Sequence, residues 1–215
     1  MTTATNPTRL MAAGAIGNLL EWYDFAVYGY FAASIGRAFF PEQDKVAQLL
    51  AAFGIFAVGF LMRPIGGALF GHIGDRHGRR AALTWSVMAM AVPTFLIGLL
   101  PGYDVLGLAA PLLLTLLRMA QGLSVGGEYT TSIIFLVERA PSGRRGLVGA
   151  LADTGCVIGT VAGSATGALL EWIVPEAAMQ DWGWRIPFWI GLALGFAGLA
   201  LRRGLPPERA APAAE

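Results

Sequence analysis

The sequence predicts an all-α integral membrane protein built from six spanning helices. Of its 215 residues, 55% are hydrophobic and only 13% are charged, whereas a soluble domain carries about a quarter because its surface must face water. Six apolar stretches reach the roughly 20 residues that a bilayer crossing needs. Arginines gather between alternate stretches, the asymmetry that orients a multi-span protein with its basic loops in the cytoplasm. The mean hydropathy of +0.59 agrees. A net charge of +1 leaves no global attraction for nucleic acid.

The stretches cover residues 10–35, 48–70, 81–100, 109–137, 147–173 and 186–201, within a bundle expected over 10–203. A polar segment, 1–9, precedes the bundle, and a Pro/Ala-rich tail, 204–215, follows it; both are expected in the cytoplasm. "MTTATNPTR" lacks a small-residue cleavage site behind a short apolar core, so no removable signal peptide is expected. "GRAFFPEQDK" follows the first stretch, and "GHIGDRHGRR", residues 71–80, reads as the turn between the second and third. The third has no ionisable side chain, and Pro93 inside it predicts a kink. "PGYD", "ERAPSGRRG" and "PEAAMQDWGW" separate the remaining stretches.

With the N-terminus inside, the cytoplasmic side holds Arg9, Arg76, Arg79, Arg80, Arg139, Arg144, Arg145, Arg202, Arg203 and Arg209. The outer side holds Arg37, Lys45 and Arg185. Trp172, Trp182 and Trp184 fall at outer helix ends, where an aromatic belt belongs. Gly155, Gly159, Gly163 and Gly167 recur every four residues, which predicts a stripe where another helix approaches closely. The single cysteine, Cys156, excludes an intramolecular disulfide and a Cys-rich metal site.

Ionisable residues fall inside the apolar stretches, among them Glu21, Asp24, Arg63, Arg118, Glu128 and Asp153. A charge at the bilayer centre costs about 2.5–3.5 kcal/mol on the insertion scale, so such residues face a partner or a polar interior. Gly14, Gly17, Glu21, Asp24 and Tyr28 follow i, i+3, i+7, i+10, i+14, and Arg118, Gln121, Val125, Glu128 and Ser132 repeat that spacing. Each set fits a sector of roughly 80° on its helix. Two narrow polar stripes on otherwise apolar helices predict a water-accessible lining with both signs of charge. Arg118 and Glu128 stand about 15 Å apart along one helix and cannot pair with each other. Glu21 and Asp24 sit one turn apart, so one is expected to keep a proton or take an arginine. Arg63, deep in "FLMRPIGG", suits recognition of a carboxylate. For Asp153, structural and functional roles both stay open.

"GHIGDRHGRR" resembles the G-x-x-x-D-R-x-G-R-R loop signature of the major facilitator superfamily. "GNLLEWYDF", "GFLMRPIGGALFG", "LPGYDVLG", "RMAQGLSVGGEY" and "WGWRIPF" resemble that superfamily's metabolite:proton symporters, and within them the dicarboxylate branch, the 2-oxoglutarate permeases. Members for proline, betaine, citrate and shikimate are similar over these stretches. The resemblance implies one half, a 3+3 inverted repeat, of a twelve-helix carrier. It implies a gating role for the signature residues Gly71, Asp75, Arg76, Gly78, Arg79 and Arg80, with Glu138 as a partner for Arg79. It places Arg63 and Arg118 as ligands of a substrate carboxylate, with Tyr28 and Gln121 as hydrogen-bonding neighbours. Glu21, Asp24 and Glu128 are its candidates for the coupling proton.

The expected function is proton-coupled symport of a small organic acid across the inner membrane by alternating access. No cofactor is expected beyond the proton gradient, and no catalysis: neither a G-x-x-x-x-G-K loop nor an H-E-x-x-H metal motif is present. His72 and His77 read as solvated rather than as ligands. Six spans predict a parallel homodimer or a separate second half. A non-transporting sensor, scaffold or inactive fragment is the alternative.

Overall fold

A computed structural model describes residues 7–41 and 44–203. Its long helices are α1 (Pro7–Tyr30), α3 (Lys45–Leu61), α4 (Arg63–His77), α5 (Arg79–Leu99), α7 (Ala109–Glu138), α8 (Arg145–Ile173) and α10 (Ile186–Arg203). Short helices α2 (Ala32–Phe39), α6 (Tyr103–Leu106) and α9 (Glu176–Asp181) sit in the connections, and a 3-10 turn, Gly183–Arg185, leads into α10. Residues 1–6 and the expected tail, 204–215, lie outside the described residues.

Five segments are long and apolar enough to cross a membrane: Lys45–His77, Arg79–Leu99, Ala109–Glu138, Arg145–Ile173 and Gly183–Arg203. The first of these joins α3 and α4 through Met62, where Pro64 has no N–H to continue the ladder and Met62 N–H closes a tighter bond to Gly59 O. Helix α1, with 24 residues, is also long enough for the hydrocarbon layer. Asn18, Glu21 and Asp24 dilute its apolarity, and it is not among the five. Helix α5 runs through Pro93 without ending.

The turn expected over 71–80 is mostly helix. Helix α4 continues to His77, α5 starts at Arg79, and Gly78 alone joins them. Gly78 takes φ 88° and ψ 152°, a conformation that a side chain at this position would strain.

Helix α7 forms the middle of the bundle, packed against α1, α3, α4, α5 and α8. Its crossing with α3 and α4 brings backbone against backbone. A Cβ on Gly122 would overlap the carbonyl of Gly59, and one on Gly126 the carbonyl of Arg63. The glycines of "FLMRPIGG" and "QGLSVGG" therefore set how closely these helices approach. The α8 glycine stripe lies on α1: a Cβ on Gly155 would stand 2.6 Å from Ala15 O, and one on Gly163 2.7 Å from Tyr23 O.

The largest apolar cluster lies at the bundle end away from Gly78, around Phe39, Ile97, Leu114, Trp184 and Phe188. Trp184 belongs to this core rather than to an interfacial belt. It is fully buried, with Phe39 and Phe188 edge-on to its ring. Trp172 and Trp182 are exposed.

Candidate functional site: buried ion pairs and a cavity

The two polar stripes of α1 and α7 close on each other instead of lining open space. Asp24 Oδ2 meets Arg118 Nη1 at 2.5 Å, with both side chains fully buried. Asp24 Oδ1 accepts from Gln121 Nε2 at 2.9 Å and from Thr94 Oγ1 of α5 at 3.0 Å. The Arg118 guanidinium stacks 3.7 Å from the centroid of the Tyr28 ring, whose hydroxyl donates to Ala52 O. Asn18 Nδ2 donates to Ser132 Oγ nearer the Gly78 end. Opposite charges at equal depth in a medium without water draw together, so the stripes became a seam.

A second cluster forms around Glu128. Its Oε1 takes Arg202 of α10, and its Oε2 takes the hydroxyl of Ser86 on α5. Arg202 also donates to Ala13 O and Leu83 O, so one fully buried guanidinium joins α1, α5, α7 and α10. Gly17 makes room for the pair, since a Cβ there would overlap the Glu128 carboxylate.

Glu21 and Arg63 form the third pair, Nη2 to Oε1 at 3.3 Å, and these two line a cavity of about 680 Å³ between α1, α4, α7 and α8. Asp153 of α8 is on the same wall and accepts a 2.8 Å hydrogen bond from Tyr129. Trp22, Tyr129, Thr130, Thr160 and Cys156 also line it. Arg63 also lies against the rings of Phe60 and Phe25, at 4.0 and 5.0 Å from their centroids. Arg118, Tyr28, Gln121, Asp24 and Glu128 sit behind this wall, not on it.

At the Gly78 turn, Asp75 pairs with Arg79 at 3.2 Å across the helix break. Arg80 Nη2 donates to Arg203 O at 2.7 Å and ties the turn to the end of α10. Asp75, Arg76, His72 and His77 are exposed, and Gly71 has open space where a Cβ would stand. Asp75 is thus an ion-pair partner that the structure gives Arg79; the resemblance suggested Glu138.

Sequence reasoning missed Arg202, Ser86 and Thr94. The sequence groups Arg202 with the cytoplasmic arginines because it ends an apolar run beside Arg203. Its signal was the face it shares with Gly191, Gly195 and Gly198, all buried. Among the described residues, no group of three or more His, Cys, Asp or Glu is placed to hold a metal ion.

The Sugar (and other) transporter family matches residues 10–207. The chain belongs to that family. Curated relatives include the proline/betaine transporter of Escherichia coli (strain K12), 47% identical over 197 residues, which cover 92% of this chain and 39% of that protein. The glycine betaine/proline/ectoine/pipecolic acid transporter OusA of Dickeya dadantii is 45% identical over 92% of the chain and 39% of its own length. The chain therefore spans about two-fifths of the length of these relatives. The fold matches the proton:xylose symporter XylE with a TM-score of 0.82 at 19% identity, over 93% of this chain and 45% of that one. A partially occluded inward-open XylE from E. coli gives 0.82 at 20% identity, over 94% and 49%. The matched solved structure carries the major facilitator fold that the motifs implied, and the named relatives are transporters rather than enzymes. The relatives named are proline and betaine carriers, not 2-oxoglutarate permeases.

Proposed function

We propose that the chain forms the α1–α10 half of a proton-coupled symporter for a small zwitterion, an amino-acid or betaine-like solute. One observation carries the substrate class: the cavity wall holds two carboxylates, Glu21 and Asp153, against one guanidinium, Arg63. A dicarboxylate would bring a second negative charge toward Glu21 and Asp153, where repulsion in low dielectric opposes it. A zwitterion sets its carboxylate on Arg63 and its ammonium near the two acids. The Trp22 and Tyr129 rings supply faces for a quaternary ammonium. The names of the curated relatives support the same class.

In this reading α1 is the sixth span, both ends of the bundle's chain are cytoplasmic, and the protein works in the inner membrane. A second bundle closes the cavity, whether supplied by the same polypeptide, a partner or a parallel copy, and the two rock about the bound solute. The seam of Asp24 and Arg118 and the clamp of Arg202 on Glu128 keep this half rigid while it moves. Asp75, Arg79 and Gly78 serve the gate between the two end states.

Binding separates the substrate classes. Calorimetry on the purified chain in lipid nanodiscs is expected to show glycine betaine or proline binding, weakened at least about tenfold in Arg63→Ala, the loss of one charge-assisted contact. Binding of 2-oxoglutarate in preference to betaine would restore the dicarboxylate reading.

A further inference from the structure

The acids of the seam, the clamp and the cavity differ in whether an arginine stands beside them. Asp24 pairs with Arg118, Glu128 with Arg202 and Glu21 with Arg63. Asp153 forms no ion pair among the described residues. Its Oδ1 accepts from the Tyr129 hydroxyl at 2.8 Å, and its Oδ2 takes no donor from them. A carboxylate inside a spanning helix, with a phenol on one oxygen and no cation, is a costly thing to keep unless a cation comes to it.

The cavity wall gives that cation a place. Arg63 reaches the cavity from α4, which rests on α7, while Asp153 reaches it from α8, which rests on α1. Guanidinium and spare carboxylate thus stand on different helices of one cavity. Arg63 carries several N–H donors, of which Glu21 takes one, so others remain for a substrate carboxylate. Trp22 of α1 and Tyr129 of α7 line the same space. A second tyrosine–carboxylate bond on α8, Tyr30 to Glu171 at 2.7 Å, involves no residue of the cavity lining.

We infer that Asp153, held by Tyr129, recognises the ammonium end of the substrate and sets which kind of ammonium is gripped most tightly. The inference rests on the zwitterion reading and names the residue that discriminates within it. A secondary ammonium, such as that of proline, brings N–H donors, and one of them fills Oδ2 as a charge-assisted bond. The trimethylated nitrogen of glycine betaine brings none. It is held by the charge of Asp153 and by the ring faces of Trp22 and Tyr129. One pocket therefore grips the two nitrogens by different means, carboxylate for the donor and rings for the methyl groups. Tyr129 is a positioning residue for the first and a contact for the second: its hydroxyl keeps Oδ1 occupied and leaves Oδ2 for the ligand. An anionic group in this place meets Asp153 and is repelled.

Calorimetry of L-proline and of glycine betaine on the chain in lipid nanodiscs tests the split. Asp153→Asn is expected to weaken proline at least about tenfold. Betaine should lose about threefold or less in the same variant, since it gives up charge attraction alone, and its retained binding shows that the variant is folded. Trp22→Leu should reverse the order, costing betaine about fivefold and proline less. Tyr129→Phe keeps the ring, so it should weaken proline severalfold and leave betaine within about twofold. Glu171→Gln, which breaks the bond outside the cavity, should change neither. Unchanged proline affinity in Asp153→Asn, or equal losses of proline and betaine, overturns the assignment while the zwitterion reading stands. An unsubstituted chain that binds neither solute refutes that reading itself, and the assignment falls with it.

Discussion

Arg202, in the last turn of α10, pairs with Glu128 deep inside α7, and both side chains are buried. The pair links the end of the bundle's last helix to its central one, with the Ala13 and Leu83 carbonyls accepting from the other two guanidinium nitrogens. Removing one member leaves the other charged and unpaired. Arg202→Leu is expected to cost about 3–5 kcal/mol of stability, read as earlier thermal unfolding in detergent. Adding Glu128→Leu should recover most of the loss, because Ser86 already has Leu83 O as an alternative acceptor.

The α7 crossing gives a second contrast. Gly126→Ala pushes a methyl into the Arg63 carbonyl, and the overpacking should destabilise by about 1–3 kcal/mol. Gly54→Ala on α3 meets open space and should gain the ~0.5–1 kcal/mol by which helices prefer alanine. Unfolding midpoints of the two variants should move in opposite directions.

At the Gly78 turn, Gly78→Ala places a side chain at φ 88°, a strain of about 1–3 kcal/mol. Asp75→Asn removes one side of an exposed ion pair, 71% exposed at Asp75, and should change stability by less than about 1 kcal/mol. Thermal scans that rank the two in the reverse order would show that the pair, and not the backbone, holds the turn.

Cys156, the single cysteine of the chain, lines the cavity with Thr160 and Asp153. A small thiol reagent should label it slowly, since only 8% of its surface is exposed, and bound betaine should slow the reaction further. Mass spectrometry of the labelled chain with and without ligand reads this directly. Equal rates would place the ligand elsewhere.

Much of this arrangement was legible in the sequence. The 100° spacing of Glu21, Asp24, Arg118 and Glu128 put them on narrow faces, and those faces do meet. What spacing could not give was the distance between the helices. Gly14 and Gly17, where a Cβ would overlap Leu136 and Glu128 of α7, bring α1 and α7 so close that Arg118 reaches Asp24 and the expected open lining shuts. The cavity formed instead where α8 stands off α4, and so took in Asp153 and Cys156. Arg202 was hidden because an arginine at a helix end looks solvated until a neighbouring helix supplies Glu128. The turn at 71–80 read as a loop because its charges are dense, yet only Gly78 interrupts the helix.

The central claim is that the chain forms half of a proton-coupled carrier whose cavity takes the carboxylate of a zwitterion on Arg63. The most direct measurement is uptake of labelled glycine betaine into proteoliposomes holding the chain together with the second bundle that closes its cavity, under an imposed inward proton gradient. Accumulation above the external concentration is predicted, with loss on collapsing the gradient by an ionophore and loss in Arg63→Ala. Binding without any gradient-dependent accumulation would contradict it and support a sensor or scaffold in its place.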